Sequence, residues 1–526
     1  MLSFDSAPIV YWAIAYLLAL VVIGLNLKER VSRPLYLTAA VGLLVLMRLP
    51  AILLNRELNA DESQMLSHAL TLWQDPVYWR SVDGTTIGPL DNYLLVLPRL
   101  LGFQLDYTSA RIMGLLCVVG SLLFFFRALN MWFGSNLARV AVLIPLLFLA
   151  FTQETDFVHY SSEQLPVFLL SICLALLADL TTESRLSPRR AFWLGLVAGM
   201  VPFAKLQAVP QAGLLVLGAL YLAYQHYRQT QSGKPLLLLL LGGITFPALV
   251  LGWIVSMEIF QDFIDFYILG NAVYAGGSGL ADIPTQFGKL ILLSPDFTAL
   301  LIVVALITIS GILYAQRNPG QAALPGGLFV PVLIMGYGLA AIYAATKSGN
   351  LFVHYLNFCV YPLGLAAALG MQRIAQNKLL LLMGPLLLLA WFGLQDAVSF
   401  LKNRQLNSLI SVEATSLPES PVVRALKPFA TPTDRMVVWG WQCQYYVEAQ
   451  LAQGTAENHS ERSIFQHPLR DVYRRRYLSD MKRTKPAVFL DAVGKNSLWV
   501  QNVATQGHES FPELAEYIEK NYQFLG

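Results

Sequence analysis

Charge is scarce in this sequence. Of its 526 residues only 13% are Asp, Glu, Lys or Arg, against about 25% in a soluble globular protein. With 56% hydrophobic residues and a mean hydropathy of +0.53, that shortage excludes a soluble enzyme and a disordered scaffold. Cysteine is scarce too. Cys117, Cys173 and Cys359 lie inside apolar runs, where cysteine is a small packing residue, and Cys443 stands alone in a polar C-terminal part. No CxxC or Cys/His ligand spacing occurs, so neither a disulfide nor a structural zinc is expected. A glycine-rich phosphate loop and a nucleophile elbow are both missing. A net charge of +3 leaves no footprint for nucleic acid. What remains is a protein of many membrane spans.

Apolar runs recur at 8–25, 35–54, 112–129, 140–151, 165–180, 192–224, 236–257, 290–314, 328–345, 351–371 and 379–394. The run 192–224 is too long for one helix and holds Pro202, Lys205, Gln207, Pro210 and Gln211 at its middle. It reads as two short helices joined by a tight turn near Lys205, which makes about twelve spans. Basic residues mark alternate links: Lys28, Arg30 and Arg33; Arg127 and Arg139; Arg185, Arg189 and Arg190; Arg228 and Lys234; Arg317; Arg373 and Lys378. The positive-inside rule makes these links cytoplasmic and puts both termini outside. Met1–Ser6 lacks a basic n-region, so no cleaved signal peptide is expected.

The expected fold is therefore an all-α polytopic membrane region over 1–400, with external amphipathic helices at 55–109, and an external soluble α/β domain over 401–526. Strands are expected at 436–439 and 487–490, and a helix at 512–521. In this tail Arg470, Arg474, Arg475, Arg476, Lys482, Arg483 and Lys485 form a basic cluster. It reads as a solvated helix face, with an anionic-ligand site as the alternative.

The candidate chemistry lies in the external links. Asn59-Ala60-Asp61-Glu62 has an N-capping residue with Glu62 at the third helical position. The two acids therefore either complement a helix terminus or do chemistry. Met65, Leu66, Ala69, Leu70 and Trp73 form an apolar stripe, which predicts a helix lying on the membrane surface with both carboxylates at the lipid–water boundary. Pro89 opens a second surface helix ending near Leu101. Arg80 and Arg111 are available to pair with acids or to bind a phosphate, and for Arg111 interfacial snorkelling is the alternative. The second external link holds Glu154, Asp156, His159 and, beyond them, Glu163. Lys205 lies within an apolar hairpin, where a charge costs about 2.5–3.5 kcal/mol on insertion scales. It is a functional-site candidate unless it pairs with an acid. Lys347, His354 and Tyr355 mark the outer end of a late span. His68, His159 and His354 with the nearby acids leave a divalent cation open, but their spacing matches no metal motif.

Taken in order, the chain resembles the GT-C glycosyltransferases, in particular the group of protein O-mannosyltransferases and the lipid A aminoarabinose transferase. The resemblance is carried by the acidic pair Asp61-Glu62, by Arg111 at the start of the next span, and by Asp156 in the second link. The charged hairpin Phe203-Ala204-Lys205, His354-Tyr355 and the tail domain complete it. It departs in one respect, an extra span before Leu35. It implies a cavity at the outer face of the plasma (inner) membrane, a polyprenyl-phosphate-sugar donor and a lipid, glycan or protein acceptor. It implies further that an acid of the first link is the base and that Asp156 helps to shape the site.

Glycosyl transfer from a lipid phosphate needs a carboxylate to take the acceptor proton, cations for the leaving phosphate and an apolar groove for the lipid. Asp61 fits the first role with Glu62 orienting it. Lys205 with Arg80 or Arg111 fits the second, and His159, His354 and Tyr355 are further substrate contacts. Direct displacement inverts the anomeric carbon, and no cofactor is required. Rival classes are a lipid-linked-sugar flippase, though no internal repeat is visible, a non-catalytic subunit, and an oligosaccharide transferase or polymerase.

Overall fold

The computed structural model describes residues 8–28, 31–183, 185–277, 279–317, 327–404 and 414–526. Met1–Ser6 and Arg30, used above for the signal peptide and the first basic link, lie outside them. Among the described residues ten helices are long and apolar enough to cross a membrane. They include Ile9–Leu27, Arg33–Leu53, Tyr107–Phe133, Gln164–Thr182, Leu206–Thr230 and Lys378–Asn403. The two other predicted runs form shorter helices. One is Pro188–Ala204; the other is broken at Val142 into Ser135–Ala141 and Leu143–Phe151. Pro145 explains the break, because it removes the N–H that the Ala141 carbonyl would accept. Many apolar side chains on the spans point outward; Leu249 is 66% and Met335 63% exposed. Such surface is tolerable only against lipid, and the chain is a polytopic helical membrane protein.

The chain forms two compact units. The first comprises residues 1–54, 114–251 and 276–414 and holds most of the spans. Its hairpin follows the proline pattern: Pro188–Ala204 ends at Lys205, a short turn of 3₁₀ helix covers Leu206–Ala208, and Pro210 sits in the first turn of Val209–Thr230. Helices Pro188–Ala204 and Lys234–Ser256 touch backbone to backbone. A Cβ on Gly195 would lie 2.1 Å from the Leu239 carbonyl oxygen, and one on Gly242 2.1 Å from that of Phe192. Small residues at such crossings let spans approach without a hydrophobic driving force.

The second unit comprises residues 55–113, 252–275 and 415–526. Its parallel sheet has the order β2-β1-β3, with β1 at Arg435–Trp439, β2 at Ala452–Gln453 and β3 at Val488–Asp491. Alternation sorts β1 between two layers. Val437 and Trp439 pack on Tyr477, Met481 and Leu514, whereas Met436 and Val438 pack on Cys443, Tyr446 and Leu451. The helix Pro512–Asn521 stands where its proline predicts.

One expectation fails for Glu62, which does not stand at a water boundary. In helix Ala60–Gln74 it is buried with Ser63, Gln64, Ser67, His68 and Thr71 and with Met65, Leu66 and Ala69 of the apolar stripe, while Trp73 of the same stripe is 45% exposed. The polar face is covered by the tail. Asn458 Nδ2 donates to Ser67 Oγ at 2.7 Å and to the Gln64 carbonyl at 2.8 Å, and the Gln453 N–H donates to Thr71 Oγ1 at 3.0 Å. Hydrogen bonds met at Gln64, Ser67 and Thr71 help this polar face to be buried, so amphipathicity alone did not determine its surroundings.

Candidate active site

In the second unit the acidic pair sits in the first turn of Ala60–Gln74. Asn59 Oδ1 accepts the Asp61 N–H at 3.0 Å, the cap its sequence predicts. Glu62 Oε2 accepts from the Leu58 N–H at 3.1 Å. The same carboxylate takes Arg111 in a two-pronged pair, Nε to Oε1 at 2.8 Å and Nη2 to Oε2 at 2.6 Å. Both side chains are almost wholly buried, at 0% and 1% exposure. Arg111 also donates to the Arg56 carbonyl at 2.7 Å and lies over the Tyr107 ring. The choice left open for Arg111 is thus resolved as pairing, not snorkelling. Glu62→Gln removes the carboxylate that the buried Arg111 is paired with and is expected to cost about 3–5 kcal/mol. Thermal unfolding in detergent measures this, and an unchanged Tm would contradict it.

Asp61 keeps partial exposure. Glu57, an acid not singled out above, lies nearby. Burial, with the charges of Glu62 and Asp61, pushes its carboxyl up to about 7 against a lowering hydrogen bond from Ser63. Ser63 donates to Glu57 and is 2.8 Å from the Tyr107 hydroxyl. Arg80 stands elsewhere in this unit, 2.8 Å from Asp75 and well exposed. In the basic cluster, Arg476 is inside the unit on Asp83, so a solvated face does not describe that residue.

The first unit gathers five of the sequence candidates into one cluster. Asp156, on the single-turn helix Thr155–Val158, lies 3.2 Å from His354 Nδ1. Burial pushes the Asp156 carboxyl up, but the hydrogen bond and charge of His354 and the charge of His159 outweigh it and hold it below the usual carboxylate range. The rings of His159 and His354 meet edge to face at 5.8 Å. Lys205 is buried, with its Nζ donating to Glu163 and, at 2.6 Å, to Ser162 Oγ, and 5.0 Å from the Tyr355 ring. The intramembrane lysine therefore has an acid partner. Burial raises the Glu163 carboxyl, and the Lys205 charge more than reverses this. Two buried atoms of this cluster have no hydrogen-bond partner, His159 Nε2 and Glu163 Oε2. Orphaned polar atoms in a buried cluster fit a site built to receive a polar ligand.

In the same unit Glu154, named in the second external link, meets partners around Asp296 that the sequence did not reveal. Glu154 accepts from Ser294 Oγ and from the Asp296 N–H at 2.8 Å, and burial pushes its carboxyl up to about 7. Thr152 and the Trp391 indole N–H donate to Asp296 at 2.7 and 3.2 Å. Only the oddity of an acid near the start of an apolar run would have pointed to Asp296. Among the described residues one group has metal-ligand proximity, Asp491, His508 and Glu509 in the second unit. A plain hydrogen bond, His508 Nδ1 to Asp491 Oδ2 at 2.7 Å, accounts for it.

No protein-family profile matches the chain, and no curated protein sequence does either. Solved structures do. The structure of ArnT from Cupriavidus metallidurans bound to undecaprenyl phosphate superposes with a TM-score of 0.54 at 12% identity, covering 88% of this chain and 90% of that one. The apo state of the same protein gives 0.42 at 12% identity over 87% and 89%. The Archaeoglobus fulgidus oligosaccharyltransferase, tethered to an acceptor peptide, gives 0.43 at 12% identity over 80% and 64%. At such identity the likeness to the first of these speaks for architecture alone, and by that likeness this chain has the GT-C fold.

Proposed function

We propose that this protein is a membrane glycosyltransferase that moves a sugar from a polyprenyl-phosphate donor to an acceptor hydroxyl, with Asp61 as general base. The observation that carries this is the shared architecture, over nearly the whole of both chains, with a protein solved with undecaprenyl phosphate bound. In the reaction the acceptor oxygen bonds to the anomeric carbon as the carbon–phosphate-oxygen bond breaks. The electron pair leaves with the polyprenyl phosphate, and the acceptor proton passes to the base. Displacement from the opposite side inverts the anomeric carbon.

Of the acidic pair, Glu62 has both oxygens engaged by Arg111 and the Leu58 N–H and is fully buried. It is a positioning residue, which holds Arg111 and the helix start. Asp61, half-buried, takes the base role. Arg111 and Arg80 are each committed to an acid, which leaves Lys205 and His354 as the donor-phosphate contacts and Asp156 to orient His354. Two of the three ammonium protons of Lys205 are used by Ser162 and Glu163. The third is left to donate to a phosphate oxygen. The test is turnover of the full chain with a panel of polyprenyl-phosphate sugars, read as release of free lipid phosphate.

By the positive-inside rule the links that carry Asp61 and Asp156 are expected to face outward, and so is the C-terminus. All four native cysteines are buried, so a single introduced thiol is selective. Leu525→Cys, at a residue 60% exposed, is expected to react with an impermeant maleimide in intact cells. Reaction only after lysis would reverse the topology.

A further inference from the structure

At the end of the membrane unit that carries the basic links, we propose a binding site for the phosphate headgroup of an anionic phospholipid. A cavity of about 460 Å³ lies there, lined by Lys28, Arg139 and Lys378 and floored by Phe133, Leu381 and Leu382. No acid lines it among the described residues. Lys28 and Lys378 are exposed, whereas Arg139 is only 7% exposed. The guanidinium of Arg139 is fixed by an Nη2 hydrogen bond to the Val31 carbonyl at 2.5 Å and by the Tyr36 ring, 5.8 Å away. Its Nε is buried and has no hydrogen-bond partner.

A buried guanidinium with an unmet donor is costly unless an acceptor arrives. With Lys28 and Lys378 lining the same cavity as Arg139, its charge selects an anion. Lys378 also opens the helix Lys378–Asn403, capped by Asn377 Oδ1 on the Leu380 N–H at 3.1 Å, so the positive end of its dipole faces the same region. The apolar floor distinguishes the ligand from a free phosphate. Phe133, Leu381 and Leu382 belong to membrane-spanning helices, where acyl chains run, and basic pockets between span ends suit lipid phosphates. A phosphodiester with acyl chains satisfies both halves of the cavity. The site is distinct from the Asp156–Lys205 cluster, and its occupation does not depend on sugar transfer.

Native mass spectrometry of the full-length protein, titrated with dioleoylphosphatidylglycerol or dioleoylphosphatidylcholine, tests this. The expected result is preferential retention of phosphatidylglycerol. Retention should fall about fivefold for each cation removed in Lys28→Gln and Lys378→Gln, with phosphatidylcholine binding unchanged and millimolar inorganic phosphate failing to compete. Arg139→Gln should abolish the preference; should that variant not fold, the two surface lysine variants carry the test. Equal retention of the two lipids, or full preference in the Lys28→Gln/Lys378→Gln double variant, would overturn the site. Displacement by inorganic phosphate would overturn its assignment to a lipid.

Discussion

Asp61→Asn is expected to lower turnover at least a hundredfold while the protein folds normally. Asparagine keeps the size of the side chain but cannot take a proton, and general-base effects run at roughly 10²–10⁴. The stability change should be small. Asp61 stands in the first turn of its helix, where a carboxylate contributes about 0.3–1 kcal/mol through the helix dipole, and the cap is supplied by Asn59. Glu57 is the informative comparison, because its carboxyl is pushed up to about 7, near the value that suits a base at neutral pH. Glu57→Gln should leave kcat within a few-fold of native. If instead Glu57→Gln carries the hundredfold loss, and kcat/KM in the native enzyme rises with pH through about 7, the base is Glu57 and not Asp61.

Lys205→Met is expected to be the most destabilising single change in the membrane unit. It removes the cation and leaves Glu163, 0% exposed, as an uncompensated buried charge. Breaking a buried pair in this way costs about 3–5 kcal/mol. Adding Glu163→Gln removes the stranded charge and should restore most of the lost stability. The double variant then separates the two roles of Lys205. A phosphate contact that strengthens as the leaving oxygen gains charge predicts a low kcat in Lys205→Met/Glu163→Gln despite recovered folding. Native kcat and KM in that stable double variant would make Lys205 a structural ion-pair partner only. Failure of Glu163→Gln to restore stability would contradict the pairing.

The spans were legible because length and apolarity are local properties. The turn at Lys205 was legible for the same reason, since Pro202 and Pro210 interrupt one apolar run. So were the Asn59 cap and the helix opened by Pro512, each set by one or two residues. Partners distant in sequence were not legible. Glu62 and Arg111 lie 49 positions apart, Lys205 and Glu163 lie 42 apart, and His354 and Asp156 lie 198 apart. An acid, a histidine or a lysine can be suspected from its setting, yet its partner is chosen by tertiary packing. The helix Ala60–Gln74 shows the opposite error. Its stripe of Met65, Leu66, Ala69 and Leu70 fits a surface helix, but the burial of its other face depends on Gln453 and Asn458, nearly four hundred positions away. Strand β2, with two residues, is too short for any alternation to register.

The most direct test of sugar transfer uses the purified full-length protein in vesicles with a panel of polyprenyl-phosphate sugars and acceptor lipids, following free polyprenyl phosphate over time. The account predicts release of lipid phosphate for at least one donor, matched by glycosylated acceptor of inverted anomeric configuration, and lowered at least about a hundredfold in Asp61→Asn. Movement of intact donor across the vesicle membrane with no lipid phosphate released would contradict it and identify a transporter.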